Sequence, residues 1–270
     1  MPIDLKPRII KPAFGTVEVN WGHPLANGLR HAILLNEGGG PPKDIVTGAQ
    51  GTPTAGATWG GNQEGICGKL AAATDNFNFG SAALSVGNQN SSVLFRGIVG
   101  ATSIDRYAVM IGGTGTDEVE FGVNNSNAWE VLLPGVVDIN FSVGPTVGHY
   151  CSAGFTYQRL VGATLDVHDI TANVFSTASK AATNAPAQGS NSYVGGDGSS
   201  RSWRSSLNFA FIWARLLTPA EFCWLHAEPY AMFRPRTPVR FFKMPAAAAL
   251  EDDGFQMALP KRDEDLVSVW

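Results

Sequence analysis

The chain has 270 residues, a formal net charge of −4, 44% hydrophobic and only 16% charged residues, and 31 glycines. This apolar content excludes intrinsic disorder, the low charge excludes a long coiled coil, and the lack of a basic excess argues against a nucleic-acid partner. Abundant glycine with little charge fits many short strands joined by tight turns, and the length allows one large all-β domain, or one domain with a tail.

Residues 1–13 carry Pro2, Pro7 and Pro12 among basic and apolar residues and read as an N-terminal arm. They hold no apolar run of the secretory type. No stretch of the chain approaches the roughly 18 apolar residues of a membrane span, so neither a signal peptide nor membrane insertion is expected. Short apolar runs then predict strands over Thr16–Trp21, Arg30–Leu35, Ser92–Ile98, Tyr107–Ile111, Val119–Val123, Trp129–Leu133, Ile139–Val143, His149–Tyr157 and Leu160–His168. Between them lie Gly112–Gly115, Asn124–Asn127 and Gly144-Pro145. Glycine and asparagine supply positive φ in turns and proline presets its own, so these are turns with a mechanism. The rhythm is that of an all-β sandwich.

The run 206–214 is the clearest strand. Its period of two predicts Leu207, Phe209, Phe211 and Trp213 on one face and Asn208, Ala210, Ile212 and Ala214 on the other, with Trp213 as core. One helix follows. Thr218 is its N-cap, Pro219 its first residue, and Glu221 is placed to reach back as a capping box. It ends near Ala227, ahead of Pro229, and buries Phe222 and Leu225 three residues apart. A helix this short needs the sheet beneath it. Residues 234–270 form a C-terminal arm, basic at Arg234, Arg236, Arg240 and Lys243 and later acidic at Glu251, Asp252 and Asp253. Its apolar residues Phe241, Phe242, Leu266, Val267 and Trp270 are the expected anchors of an assembly contact. Cys67, Cys151 and Cys223 are odd in number and lack zinc-ligand spacing, which predicts free thiols and a reducing compartment.

Two sets of segments carry a resemblance. Trp21–Leu29, Leu34–Gly40, Asp44–Gly48, Gly51–Thr54 and Ala57–Trp59 open the chain, and Tyr193–Gly198, Phe209–Glu221 and Pro229–Pro235 close it. Together they resemble a laminin-G-like, concanavalin-A-like domain, in the form found in tailed-phage structural proteins. The resemblance implies an all-β, two-sheet antiparallel jelly-roll sandwich over 14–233. That fold hosts lectins, hydrolases and assembly modules alike, so function has to come from sites.

Paired carboxylates for glycoside cleavage find a lookalike in Asp117-Glu118-Val119-Glu120, but the flanking acid is missing. Gly-x-Ser-x-Gly is absent, and His23, His31, His149, His168 and His226 stand in no motif. No catalytic residue is assigned and a non-enzymatic protein is expected. Gly195–Gly198 precedes a strand and reads as a turn, not a phosphate loop. The resemblance implies a possible calcium ion, with Asp75, Asn76, Asn78 and Asp197 as candidate oxygens, although two asparagines lower the charge of the set. Asn125, Asn127 and Trp129 offer the composition of a glycan loop; the competing reading is a hairpin whose tryptophan is core. The resulting expectation is a phage virion structural protein, a capsid decoration protein tethered by its arms to other virion proteins. It would be a homo-oligomer, for instance a trimer, assembled in the host cytoplasm and shown on the virion surface. The alternative is a tail or fibre carbohydrate-binding receptor or adhesion module that meets host-surface glycans.

Overall fold

The computed structural model describes residues 11–13, 15–54, 56–81, 84, 90–100, 104–112, 118–133, 137–182, 191–198 and 200–235. The anchors Phe241, Phe242, Leu266, Val267 and Trp270, like Asp117, lie outside the described residues. The strands are β1 Val17–Val19, β2 Leu29–Ile33, β3 Thr52–Pro53, β4 Thr58–Asn62, β5 Gly65–Lys69, β6 Phe77–Gly80, β7 Ser91–Ile98, β8 Arg106–Ile111 and β9 Val119–Val123. They continue with β10 Trp129–Leu133, β11 Val137–Asn140, β12 Tyr150–Gln158, β13 Gly162–Asp169, β14 Val174–Ala181, β15 Ser192–Val194, β16 Ser206–Trp213 and β17 Phe233–Pro235, with helix α1 Pro219–Ala227 before the last.

Two antiparallel sheets form the sandwich that the alternating pattern and the resemblance both implied. One runs β11-β10-β9-β8-β15-β6-β3; the other runs β14-β13-β12-β7-β16-β5-β4, with β2 also paired to β16. Aromatic and aliphatic side chains of both sheets fill the space between them, among them Phe77, Phe95, Phe121, Trp129, Phe155 and Trp203. The second sheet is also covered on its outer face. There Leu94, Phe209, Phe211 and Trp213 meet Leu25 from the opening segment, Phe222 and Leu225 from α1, and Met232 and Phe233 beyond it. The β1–β17 ribbon joins the two ends of this layer.

The predicted face of β16 needs one correction. Its register against β7 shifts between Leu207 and Phe209, so Leu207 falls into the inter-sheet core with Ala210 and Ile212, opposite to Phe209, Phe211 and Trp213. One extra residue in a strand reverses every side chain on one side of it. That residue, Asn208, is buried and exchanges amide hydrogen bonds with Asn62 at 2.6 and 3.0 Å. Lys11, the last charged residue of the N-terminal arm, reaches the same place. Its Nζ donates to the carbonyls of Leu35, Ile66 and Asn208 at 2.9, 2.5 and 2.7 Å.

Several elements differ from expectation. The strand expected over Ile139–Val143 is regular only at Val137–Asn140, although Phe141 N–H still bonds to Trp129 O and Trp129 N–H to Val143 O. The β4–β5 hairpin was not predicted, because its four glycines leave no apolar alternation. Nor was β14, an edge strand exposed along most of its length, which carries no core pattern.

Candidate functional site

Helix α1 is built as the sequence foretold. Thr218 Oγ1 accepts the Glu221 N–H at 3.3 Å, and the Glu221 carboxylate accepts the Thr218 N–H at 2.8 Å. Phe222 lies against Gly154 of β12 so closely that a methyl group there would sit 2.4 Å from the ring. His226 is buried, its Nδ1 2.8 Å from Ser152 Oγ and its Nε2 3.0 Å from Asp166 Oδ1. These are the residue types of a nucleophilic triad. Ser152 is wholly buried beneath the helix, so the three groups act as a staple between α1 and strands β12 and β13. Sequence motifs could not show it, since the residues lie 14 and 60 positions apart and meet only by packing.

With that face pinned down, the opposite face of α1 looks outward. Trp224 is 41% exposed, and its ring centroid lies 4.8 Å from the His23 imidazole at an interplanar angle of 57°. Its Nε1–H donates to Glu228 Oε2 at 3.4 Å. His23 caps the 3-10 turn Pro24–Ala26, and its Nδ1 accepts the Leu25 N–H at 3.2 Å. Partial burial holds its pKa below the ordinary value, against the pull of Glu228, so at neutral pH the ring is uncharged and Nε2 carries the remaining proton. Trp21, two residues earlier in the chain, is 61% exposed. Tryptophan is usually well covered in folded proteins, and exposed aromatic surface beside polar groups is a signature of binding. Here one indole, an imidazole donor and a carboxylate stand together, and a second exposed indole lies two residues before that histidine in the chain. Trp224 was legible in principle: it falls off the stripe of Phe222, Leu225 and His226 at helical spacing. The exposure of Trp21 was not.

A second cluster lies on the outer face of the β8–β9–β10 sheet. Gly122 stands in register between Tyr107 and Glu130, and the Tyr107 hydroxyl donates to Glu130 Oε1 across it. Arg201 lies over the Tyr107 ring at 5.0 Å and bonds to Asp197 at 2.5 Å and to Glu120 at 3.3 Å. Burial pushes the Glu120 carboxyl up to about 8, against the opposing pull of Arg201. Burial likewise raises Glu130 to about 7, with the Tyr107 hydrogen bond working the other way. Glu120 Oε2 is buried without a hydrogen-bond partner among the described residues. Both carboxyls therefore bind protons near neutrality, but both lie beneath the surface.

The predicted site residues are distributed as follows. Trp129 is 1% exposed and packs on Phe95, Phe155 and Trp203, so it has no free face for a sugar. Asn127 takes φ +60° and is engaged, accepting from Arg106 Nη2 at 3.0 Å and donating to Pro145 O at 2.7 Å. Asn125 is exposed, with its N–H on Asp105. The proposed calcium oxygens are largely engaged as well. Asp75 Oδ2 accepts the N–H groups of Ala71 and Ala72, Asn78 Oδ1 accepts that of Gly80, and Asp197 holds Arg201. Of these four side chains, only Asn76 has a buried oxygen, Oδ1, without a hydrogen-bond partner among the described residues. Among those residues no three His, Cys, Asp or Glu side chains gather as metal ligands. Glu120 is grouped with Arg201 and Asp197, and the charge of Glu118 adds to the forces that raise its pKa. Cys67, Cys151 and Cys223 are free, the first two buried.

No family model matches the chain, and no curated protein matches it in sequence. In structure it is similar to the Trypanosoma rangeli sialidase in complex with the inhibitor DANA, with 12% identity and a TM-score of 0.56 over 76% of this chain and 33% of that one. The chain thus spans about a third of the sialidase it matches. It is also similar to domain 4 of AbnA, a GH43 extracellular arabinanase from Geobacillus stearothermophilus, in complex with arabinotriose. There the identity is 12% and the TM-score 0.51, over 74% of this chain and 98% of that domain. At such identity these likenesses establish the β-sandwich fold. They also correct the expectation of a non-enzymatic protein: structures sharing the fold include sialidases, so missing motifs do not set the chain apart from enzymes. They assign it no reaction. The laminin-G and tailed-phage part of the resemblance rests on the sequence motifs alone.

Proposed function

We propose that the chain is a carbohydrate-binding β-sandwich that presents Trp21, His23, Trp224 and Glu228 to a glycan. The observation that carries this reading is the outward exposure of two tryptophans, one of them set against a histidine and tied to a carboxylate. The apolar face of a pyranose or furanose ring stacks on an indole, while Glu228 and the His23 Nε2–H offer an acceptor and a donor to its hydroxyls. Support from the fold comes from arabinanase domain 4, whose structure holds arabinotriose. The surface replaces the Asn125–Trp129 loop as the site of choice, because Trp129 is core.

The role of virion component, with decoration of a capsid by terminal arms, rests on the terminal motifs and on residues outside those described. The glycan reading is compatible with it as a tail or fibre module and stands without it. The test is a glycan-array screen of the full chain followed by titration calorimetry on any hit. Trp21→Ala and Trp224→Ala should each weaken binding about ten-fold or more, roughly 1.4 kcal/mol, with unchanged melting. An array without a hit, or two variants that bind as the wild type does, would overturn the proposal.

A further inference from the structure

Strand β14 ends the larger sheet. It pairs with β13 from Val174 to Ala181 and, among the described residues, with no other strand. An open edge offers a row of unpaired N–H and C=O groups, which natural proteins usually guard with charge, proline or a bulge. Here eight residues run regularly with no proline, and Lys180 is their single charge. Val174 and Phe175 are 51% and 56% exposed, and the Phe175 ring is held flat on His168 at 4.0 Å. At the other end of the strand, Ala182 N–H bonds to Val161 O, which places the exposed Leu160 and Val161 there. The edge thus carries apolar residues at both ends and short neutral side chains between them.

We infer that β14 is a self-association edge, and that its occupant is β14 of a second copy of this chain, antiparallel about a two-fold axis through Thr177. The sequence VFSTASKA is complementary to itself in that register. Thr177 meets the other copy's Thr177, Phe175 meets Ser179, Ser176 meets Ala178, and Val174 meets Lys180. Pairing positions of equal parity keeps both copies' outer faces on one side, so Phe175, Thr177 and Ser179 stay aligned with His168, Asp166 and Thr164 of β13. No like charges are opposed, and paired threonines are favourable across strands. The same symmetry brings Val174 and Phe175 of each copy toward Leu160 and Val161 of the other, which covers the apolar residues at both ends. A two-fold contact of one patch with itself is closed and does not propagate to fibres. This inference does not depend on glycan binding.

The experiment is sedimentation of the full chain over a range of concentrations. The wild type should show a concentration-dependent monomer–dimer equilibrium. Thr177 is exposed, so Thr177→Lys and Thr177→Glu leave the core untouched; the Glu variant faces Asp166 of β13, and circular dichroism checks that both are folded. Each variant alone opposes like charges at the axis and should weaken dimerisation about ten-fold or more. An equal mixture should recover it as the heterodimer. A wild type that sediments as a monomer at every concentration overturns the inference, and so do variants that dimerise as the wild type does. A mixture no stronger than its components also overturns it.

Discussion

Lys11 shows how much one side chain can be asked to do. Its ammonium is buried on three backbone carbonyls, so the arm that carries it is fastened to β16, to β5 and to Leu35 beyond β2. Burial lowers its pKa to about 7, yet three acceptors suit a group with three protons. Replacing it leaves three carbonyls to be satisfied by other means. Lys11→Met, which retains the apolar stem, should cost about 1–3 kcal/mol in chemical denaturation. A loss below that range would mean that water takes over the carbonyls. Glu120 supplies the pH dependence. The carboxyl titrates near 4.5 when unfolded and near 8 in the fold. Between those values the unfolded chain has released a proton that the folded chain keeps. Stability is therefore fullest below about 4.5 and falls as pH rises through 8, by up to about 1.4 kcal/mol per pH unit. Glu120→Gln should flatten that part of the curve, and thermal midpoints at several pH values will show it. An unchanged slope would assign the proton to another group.

At the scale of elements, α1 and β16 show which local rules hold and which yield. The helix obeys its own sequence, with the capping box, the proline at its start and the buried stripe all present. Its position is a tertiary matter. Phe222 needs the bare backbone of Gly154 beneath it, and His226 needs Ser152 and Asp166. Gly154→Ala should destabilise the protein by about 1–3 kcal/mol through overpacking, measurable as a lower thermal midpoint. No effect would mean that the helix is free to slide. Strand β16 obeys the period of two only from Phe209 onward. Its alternation is continuous in sequence, whereas the bulge at Asn208 is decided by pairing with β7 and by the Asn62 amide.

Across the whole molecule, two tryptophans divide stability from recognition. Trp129 lies among Phe95, Phe155 and Trp203 at the centre of the sandwich, and Trp21 stands on its surface. Trp129→Ala should cost about 3–5 kcal/mol and lower the melting of the entire domain. Trp21→Ala should change stability by less than about 0.5 kcal/mol and be felt only in binding. Equal effects on melting would remove Trp21 from the surface role assigned to it. By itself the sequence determined the all-β class, most of the long central strands and the helix with both its ends. Those features follow from alternation, turn residues and caps, which act over a few neighbouring positions. Only the tertiary structure decided the remainder. Edge strand β14 and the glycine-rich β4–β5 hairpin bury too little to leave a pattern. The grouping of Glu120, Glu130, Tyr107 and Arg201, the staple on His226 and the exposure of Trp21 depend on residues far apart in the chain. An indole in a sequence is the same indole whether it fills a core or faces water, and the packing of distant segments determines which.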